Sequence, residues 1–158
     1  MRSDFLCSLQ DRLYEDMKKA MKAREAGKLR LSVIRMSRAA LKNRAIELGH
    51  DLSEEEIIEV LAKEVRMRRD ALPEYRRAGD PEKIAELESE IEILMEYLPQ
   101  QLSKDEITQL ATEVIVSVGA DSERDLGKVM GVLMPKVKGR ADGKLVNQVV
   151  RELLTSGH

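Results

Sequence analysis

The chain has 158 residues, with 27 Lys and Arg against 29 Asp and Glu and a formal net charge of -2, so it is not a histone-like polycation. It carries no Trp, 3% aromatic residues and eight Met, which leaves an aliphatic core as the option for burial. One cysteine, Cys7, excludes an internal disulfide and fits a reducing, cytoplasmic setting. No run near the N-terminus reads as a signal peptide or membrane span, because Asp4, Cys7 and Gln10 interrupt the apolar residues.

Helical periodicity runs almost end to end and no strand is expected. The first predicted helix spans Asp4 to Glu25, with Leu6, Leu9, Leu13, Met17 and Ala20 on one face, and Gly27 breaks it. The second runs from Lys28 to Leu48 and stops at Gly49, with Leu31, Ile34, Leu41, Ala45 and Leu48 as its stripe. Ser53 and Glu56 make a capping box for the third, which uses Ile58, Leu61, Val65, Leu72 and Tyr75. Pro73 removes a backbone donor inside that pattern and predicts a kink or break. Asp80-Pro81 restarts a helix whose Ile84, Leu87, Ile91, Leu94 and Leu98 have coiled-coil-like spacing. The short Ala78-Gly79 turn folds the third and fourth helices back as an antiparallel hairpin.

A domain boundary is expected at Pro99-Gln100-Gln101-Leu102, dividing the chain into residues 1–98 and 99–158. Ser103 and Glu106 suggest a second capping box, before a helix using Ile107, Leu110, Val114, Ile115 and Val118. The sixth helix uses Leu126, Val129, Met130 and Leu133 and is expected to stop near Pro135. Lys136 to Gly143 reads as a loop, and the last helix carries Leu145, Val146, Val149, Val150 and Leu153. The expected fold is all-α: long N-terminal helices with an antiparallel hairpin, then a compact C-terminal three-helix domain.

Charge is segregated. Residues 18–44 hold ten Lys or Arg and one acid, Glu25; residues 80–98 hold seven acids and one base, Lys83. Arg35, Arg38 and Lys42 share a face of the second helix. Such runs are either self-solvating faces, with the basic helix beside the acidic one, or a surface that tracks phosphates. Lys136, Lys138, Arg140 and Lys144 cluster with Gly139 and Gly143 ahead of a helix N-terminus, where anions are favoured unless the segment is only a solvated turn.

Other constellations fail. Gly139-Arg-Ala-Asp-Gly-Lys144 is one residue short of a phosphate loop, lacks the Ser or Thr, and follows no strand. Gly127 and Gly131, four apart, read as close helix–helix packing. Cys7, His50 and His158 form no oriented nucleophile pair, and no Ser lies in a nucleophile setting. No converging metal ligands are visible, since Glu54, Glu55 and Glu56 fan out around a helix. No catalytic residue, cofactor or metal is therefore assigned.

The run from Asp125 to Arg151, Asp-Leu-Gly-Lys-Val-Met-Gly-Val-Leu-Met-Pro-Lys-Val-Lys-Gly-Arg-Ala-Asp-Gly-Lys-Leu-Val-Asn-Gln-Val-Val-Arg, closely resembles the YqeY family. So do Leu13-Tyr-Glu-Asp-Met-Lys-Lys-Ala-Met-Lys22, Val33-Ile-Arg-Met36 and Glu96-Tyr-Leu-Pro-Gln-Gln-Leu102. The C-terminal pattern is also similar to the tail of the GatB subunit of glutamine-dependent tRNA amidotransferase. That resemblance implies a tRNA-linked role beside carbon–nitrogen ligase systems with glutamine as amido-N-donor, without transferring their catalysis. Carried over by position, the tail contacts would be Lys128, Lys136, Lys138, Arg140 and Lys144. The leading expectation is a tRNA-binding accessory protein. The alternative is a protein–protein adaptor with no direct RNA contact and an exposed apolar groove on the N-terminal helices. A third reading, an amide-transfer enzyme, needs a polar pocket that the sequence does not announce. Neither DNA nor a membrane is expected as a partner.

Overall fold

A computed structural model describes residues 8–156 of the chain, and every described element is helical. The expected start at Asp4, with Leu6 and Cys7, lies outside the described residues, as does His158. The helices are α1 (Leu9–Lys22), α2 (Lys28–Leu48), α3 (Glu54–Ala78), α4 (Pro81–Met95), α5 (Lys104–Val118), α6 (Leu126–Val137) and α7 (Gly143–Ser156). Short 3-10 turns, Arg24–Gly27 and Glu123–Asp125, precede α2 and α6. The chain divides into two compact units at Leu98/Pro99.

The N-terminal unit packs α1 on α2 and α3 on α4. Ser8 caps α1: its Oγ accepts from the Asp11 N–H at 3.1 Å, and the Asp11 carboxylate accepts from the Ser8 N–H at 3.3 Å. Gly27 is buried in the α1–α2 turn, where an added Cβ would sit 2.3 Å from the Ala20 carbonyl oxygen. No other residue allows that approach. Arg24, in the same turn, holds a left-handed φ of 53°.

The Ser53–Glu56 capping box forms, and α3 then runs unbroken through Pro73. A break is therefore not the outcome. Leu72 and Val65 stay on the buried face, and packing along α4 holds the helix together despite the lost bond. Gly79 ends α3 in a left-handed conformation, and Asp80 accepts from the Lys83 N–H to start α4, which makes the hairpin. Its antiparallel register shows in Tyr75 beside Lys83, Arg76 beside Glu88 and Arg68 beside Glu90.

Core positions differ from the expected stripes. On α4 the buried line is Leu87, Glu90, Ile93 and Leu94, continued by Tyr97, whereas Ile84, Ile91 and Leu98 are only half-buried. The helix turns toward α3 because Glu90 accepts from buried Arg68 at 3.0 Å, and Arg68 also reaches the Glu64 side chain at 3.4 Å. On α2, Val33 and Ser37 join Ile34 and Leu41 in the core, and the Ser37 hydroxyl donates to the Val33 carbonyl at 2.9 Å.

In the C-terminal unit α5, α6 and α7 pack around Ile107, Val114, Val129, Leu133, Val137, Val146 and Val150. Ser103 accepts from the Glu106 N–H at 3.1 Å; the reciprocal half of the expected capping box is not formed among the described residues. α6 passes through Pro135 and ends at Val137, which is fully buried. Burying Val137 holds that last turn on the core, so the helix does not stop at the proline.

Candidate nucleic-acid interface

In the C-terminal unit the fold corrects the reading of the basic segment. Lys136 lies on the last turn of α6, and the loop proper is Lys138 to Asp142. Lys128, Lys136, Lys138, Arg140 and Lys144 are all exposed. Lys128 lies one turn from Asp125, whose carboxyl is held below its usual range chiefly by the Asp121 backbone N–H, with the Lys128 charge a smaller cause. Asp142 caps α7 and accepts from the Lys144 N–H at 3.1 Å, so part of the donor capacity expected for an anion is already taken. Gly139 sits at a left-handed φ of 75°.

The loop is pinned by a segment that sequence reasoning left without a role. Leu102 N–H donates to the Arg140 carbonyl at 2.8 Å, and the Gln101 side chain donates to the carbonyls of Pro99 and Gly139, each at 2.9 Å. A polar residue beside Pro99 was the available signal, but its partner lies 38 residues away and has no local pattern. Gln101 thus sets the path of the basic loop without contributing charge.

Gly127 and Gly131 reverse their expected role. Both are exposed on α6, and an added Cβ would meet no heavy atom within 4 Å. They pack no helix of the described residues. Their surface lies beside Lys128 and the exposed Val132, one turn before Lys136.

In the N-terminal unit the basic run is not absorbed by the acidic helix. Arg30 bridges to Glu96 at 2.5 and 3.1 Å, but the remaining pairs of α4 go to α3 or stay local. Lys18 pairs with Glu15, and Arg44 with Glu47. Arg35 and Lys42 are exposed and make no ion pair among the described residues. Arg38 lies over the Tyr14 ring at 5.2 Å, and its Nη1 is 3.1 Å from the Met17 sulfur. Near the end of α4, buried Tyr97 donates its hydroxyl to the Asp16 carboxylate under the Arg12 guanidinium. Burial, reinforced by that bond, pushes the Tyr97 hydroxyl far above its usual range. Among the described residues no cluster of three or more His, Cys, Asp or Glu could hold a metal ion, and no helix is long and apolar enough to cross a membrane.

The chain is 23% identical over 146 residues to "Altered inheritance of mitochondria protein 41, mitochondrial" of Pyrenophora tritici-repentis, covering 90% of this chain and 79% of that protein. The protein of the same name from Lachancea thermotolerans is 35% identical over 89 residues, 56% of this chain and 46% of its own length. One glutamyl-tRNA(Gln) amidotransferase subunit of Aeropyrum pernix is 35% identical over 65 residues, 36% of this chain and 10% of that protein. The family described as "Yqey-like protein" matches residues 10–154, and the chain, alike from α1 to α7, belongs to the YqeY family.

Proposed function

We propose that this chain is a tRNA-associated accessory protein that grips RNA backbone at the corner between α6 and α7 and carries no catalytic centre of its own. The observation that carries the reading is the exposure of Lys128, Lys136, Lys138, Arg140 and Lys144 on one corner of a small unit, on a loop fixed by Gln101. Cations held this way neutralise phosphates without an ordering cost at the moment of binding. The name of the Aeropyrum pernix relative puts part of this sequence pattern in a tRNA amidotransferase, and its short overlap fits a module with an accessory role. The cytoplasm remains the proposed location; two relatives carry "mitochondrial" in their names.

The test is tRNA binding by the whole chain across a salt series, beside a variant with Lys136, Lys138 and Arg140 changed to Ala. The wild-type affinity should fall steeply with salt, and the variant should lose about two to three units of that slope. No binding at low salt, or a slope unchanged in the variant, would remove the corner as the site.

The adaptor reading has one observation in its favour. A cleft with an apolar floor opens between α1, α2 and the start of α3, on the N-terminal helices where that reading places a groove.

A further inference from the structure

That cleft has a volume of about 710 Å³, within the range of small-ligand sites. Leu13, Leu41 and Ile57 form part of its floor, and Arg38 and Lys42 stand on the α2 side. Asp51 stands on the side of the segment leading into α3. Two other acids of the lining are already engaged: Asp11 caps α1, and Glu54 accepts from the Leu9 N–H at 3.2 Å. The side chains of Lys42 and Asp51 have no partner among the described residues, although they line the same space. Opposite charges that line one opening without pairing leave a donor and an acceptor for a third group.

Aromatic placement adds to this. Of the tyrosines, Tyr97 is buried, Tyr75 half-buried and Tyr14 exposed at 45%. Tyr14 donates no hydrogen bond among the described residues; its ring instead lies near two cations, Lys18 at 4.8 Å and Arg38 at 5.2 Å. Arg38 therefore belongs both to the aromatic stack and to the cleft lining. A guanidinium held over a ring is a platform on which another flat π-system can stack. The outer face of α2 continues the positive charge through Arg35 and Lys42.

A protein helix would find the apolar floor useful but would gain little from a strongly cationic flank. An RNA strand uses all four features. Its base takes the floor, its phosphates take Arg35 and Lys42, its ring stacks by Arg38, and an exocyclic amino group donates to Asp51. We infer that this cleft is a slot for an unpaired, amino-bearing base of an RNA whose backbone follows the basic face of α2. The inference rests on the RNA reading above and assigns the N-terminal unit a distinct task. Cations at the α6–α7 corner hold backbone of any sequence, whereas this slot selects unpaired nucleotides. Bases already outside a helix enter at low cost, which favours loops over duplex.

The experiment compares the full chain binding an RNA hairpin with an adenosine loop and a fully paired RNA of equal charge, each across a salt series. The hairpin should bind about ten-fold more tightly. Ala39→Leu, which fills the cleft from its exposed α2 side, should abolish that preference and leave the duplex salt slope in place. Asp51→Ala removes a carboxylate with no folded-state partner; it should lower the preference for an adenosine loop over a uridine loop by about three- to ten-fold. Circular dichroism melting confirms that both variants are folded, and Asp51→Ala keeps the test decisive if Ala39→Leu does not fold. Equal binding of hairpin and duplex by the wild type, or a preference that survives in both variants, overturns the slot and leaves the corner standing. Failure to bind either RNA at low salt overturns the slot and the RNA reading together.

Discussion

The two units close their cores with different materials. The N-terminal unit buries Ser37, Arg68 and Glu90 among its aliphatic side chains and adds the Tyr97–Asp16 hydrogen bond, while the C-terminal core of α5, α6 and α7 is aliphatic throughout. Four long helices with regular apolar faces can slide or re-register against one another. Directed bonds such as Arg68 to Glu90 fix one register. Three short helices around Val129, Leu133 and Val150 are specified by shape alone, because each has few alternative ways to bury its stripe. The contrast teaches that chemistry at the surface is supported differently as well: the N-terminal basic face rests on a polar, register-fixed scaffold, and the C-terminal loop on a packed aliphatic one.

The largest effect expected from breaking this contrast is at Arg68. Arg68→Ala leaves Glu90 and Glu64 buried without their counter-charge and should destabilise the N-terminal unit by about 3–5 kcal/mol. Urea unfolding followed by amide hydrogen exchange on each unit reads this directly; an effect under about 1 kcal/mol would show that the network is dispensable. Next is Leu133→Ala, which opens a cavity in a fully buried site of the C-terminal unit and should cost about 2–4 kcal/mol by the same measurement.

Tyr97→Phe should cost about 1–2 kcal/mol, because Asp16 keeps its charge and loses its donor. The smallest effect is electrostatic. Arg30 hydrogen-bonds Glu96 and holds its carboxyl below the usual range. A carboxyl depressed in the folded state adds stability above its unfolded pKa, and that share is lost as pH falls through its folded value. Both side chains are more than a third exposed, so solvent screening keeps the share below about 1 kcal/mol. Glu96→Gln should therefore lower stability slightly at neutral pH and flatten the acid limb of the stability–pH curve. A variant that matches the wild type at pH 7 yet diverges in acid would contradict this sign.

Helix order was legible because caps and breakers act locally. Ser53, Gly49, Asp80 and Gly119 each do at a helix end what their chemistry dictates. The prolines were misread for the opposite reason. Pro73 and Pro135 disfavour helix locally, but Leu72 and Val137 are held by packing that no local window contains. Periodicity placed stripes within about one residue of the true face. It missed Ser37 and Glu90 because a serine and a glutamate read as surface, and only their partners, the Val33 carbonyl and Arg68, bring them inside. The cations of the candidate site were legible as charge. Their support by Gln101 and the bare surface at Gly127 and Gly131 were not, because both depend on what lies across space rather than along the chain.

The most direct test of RNA gripping at the α6–α7 corner is a map of backbone amide shifts as tRNA is added to the labelled full chain, at low salt and again after salt is raised. Shifts concentrated at Lys128, Lys136, Lys138, Arg140 and Lys144, and reversed by salt, are the predicted result. Shifts absent at low salt, or confined to residues away from that corner and indifferent to salt, would contradict it.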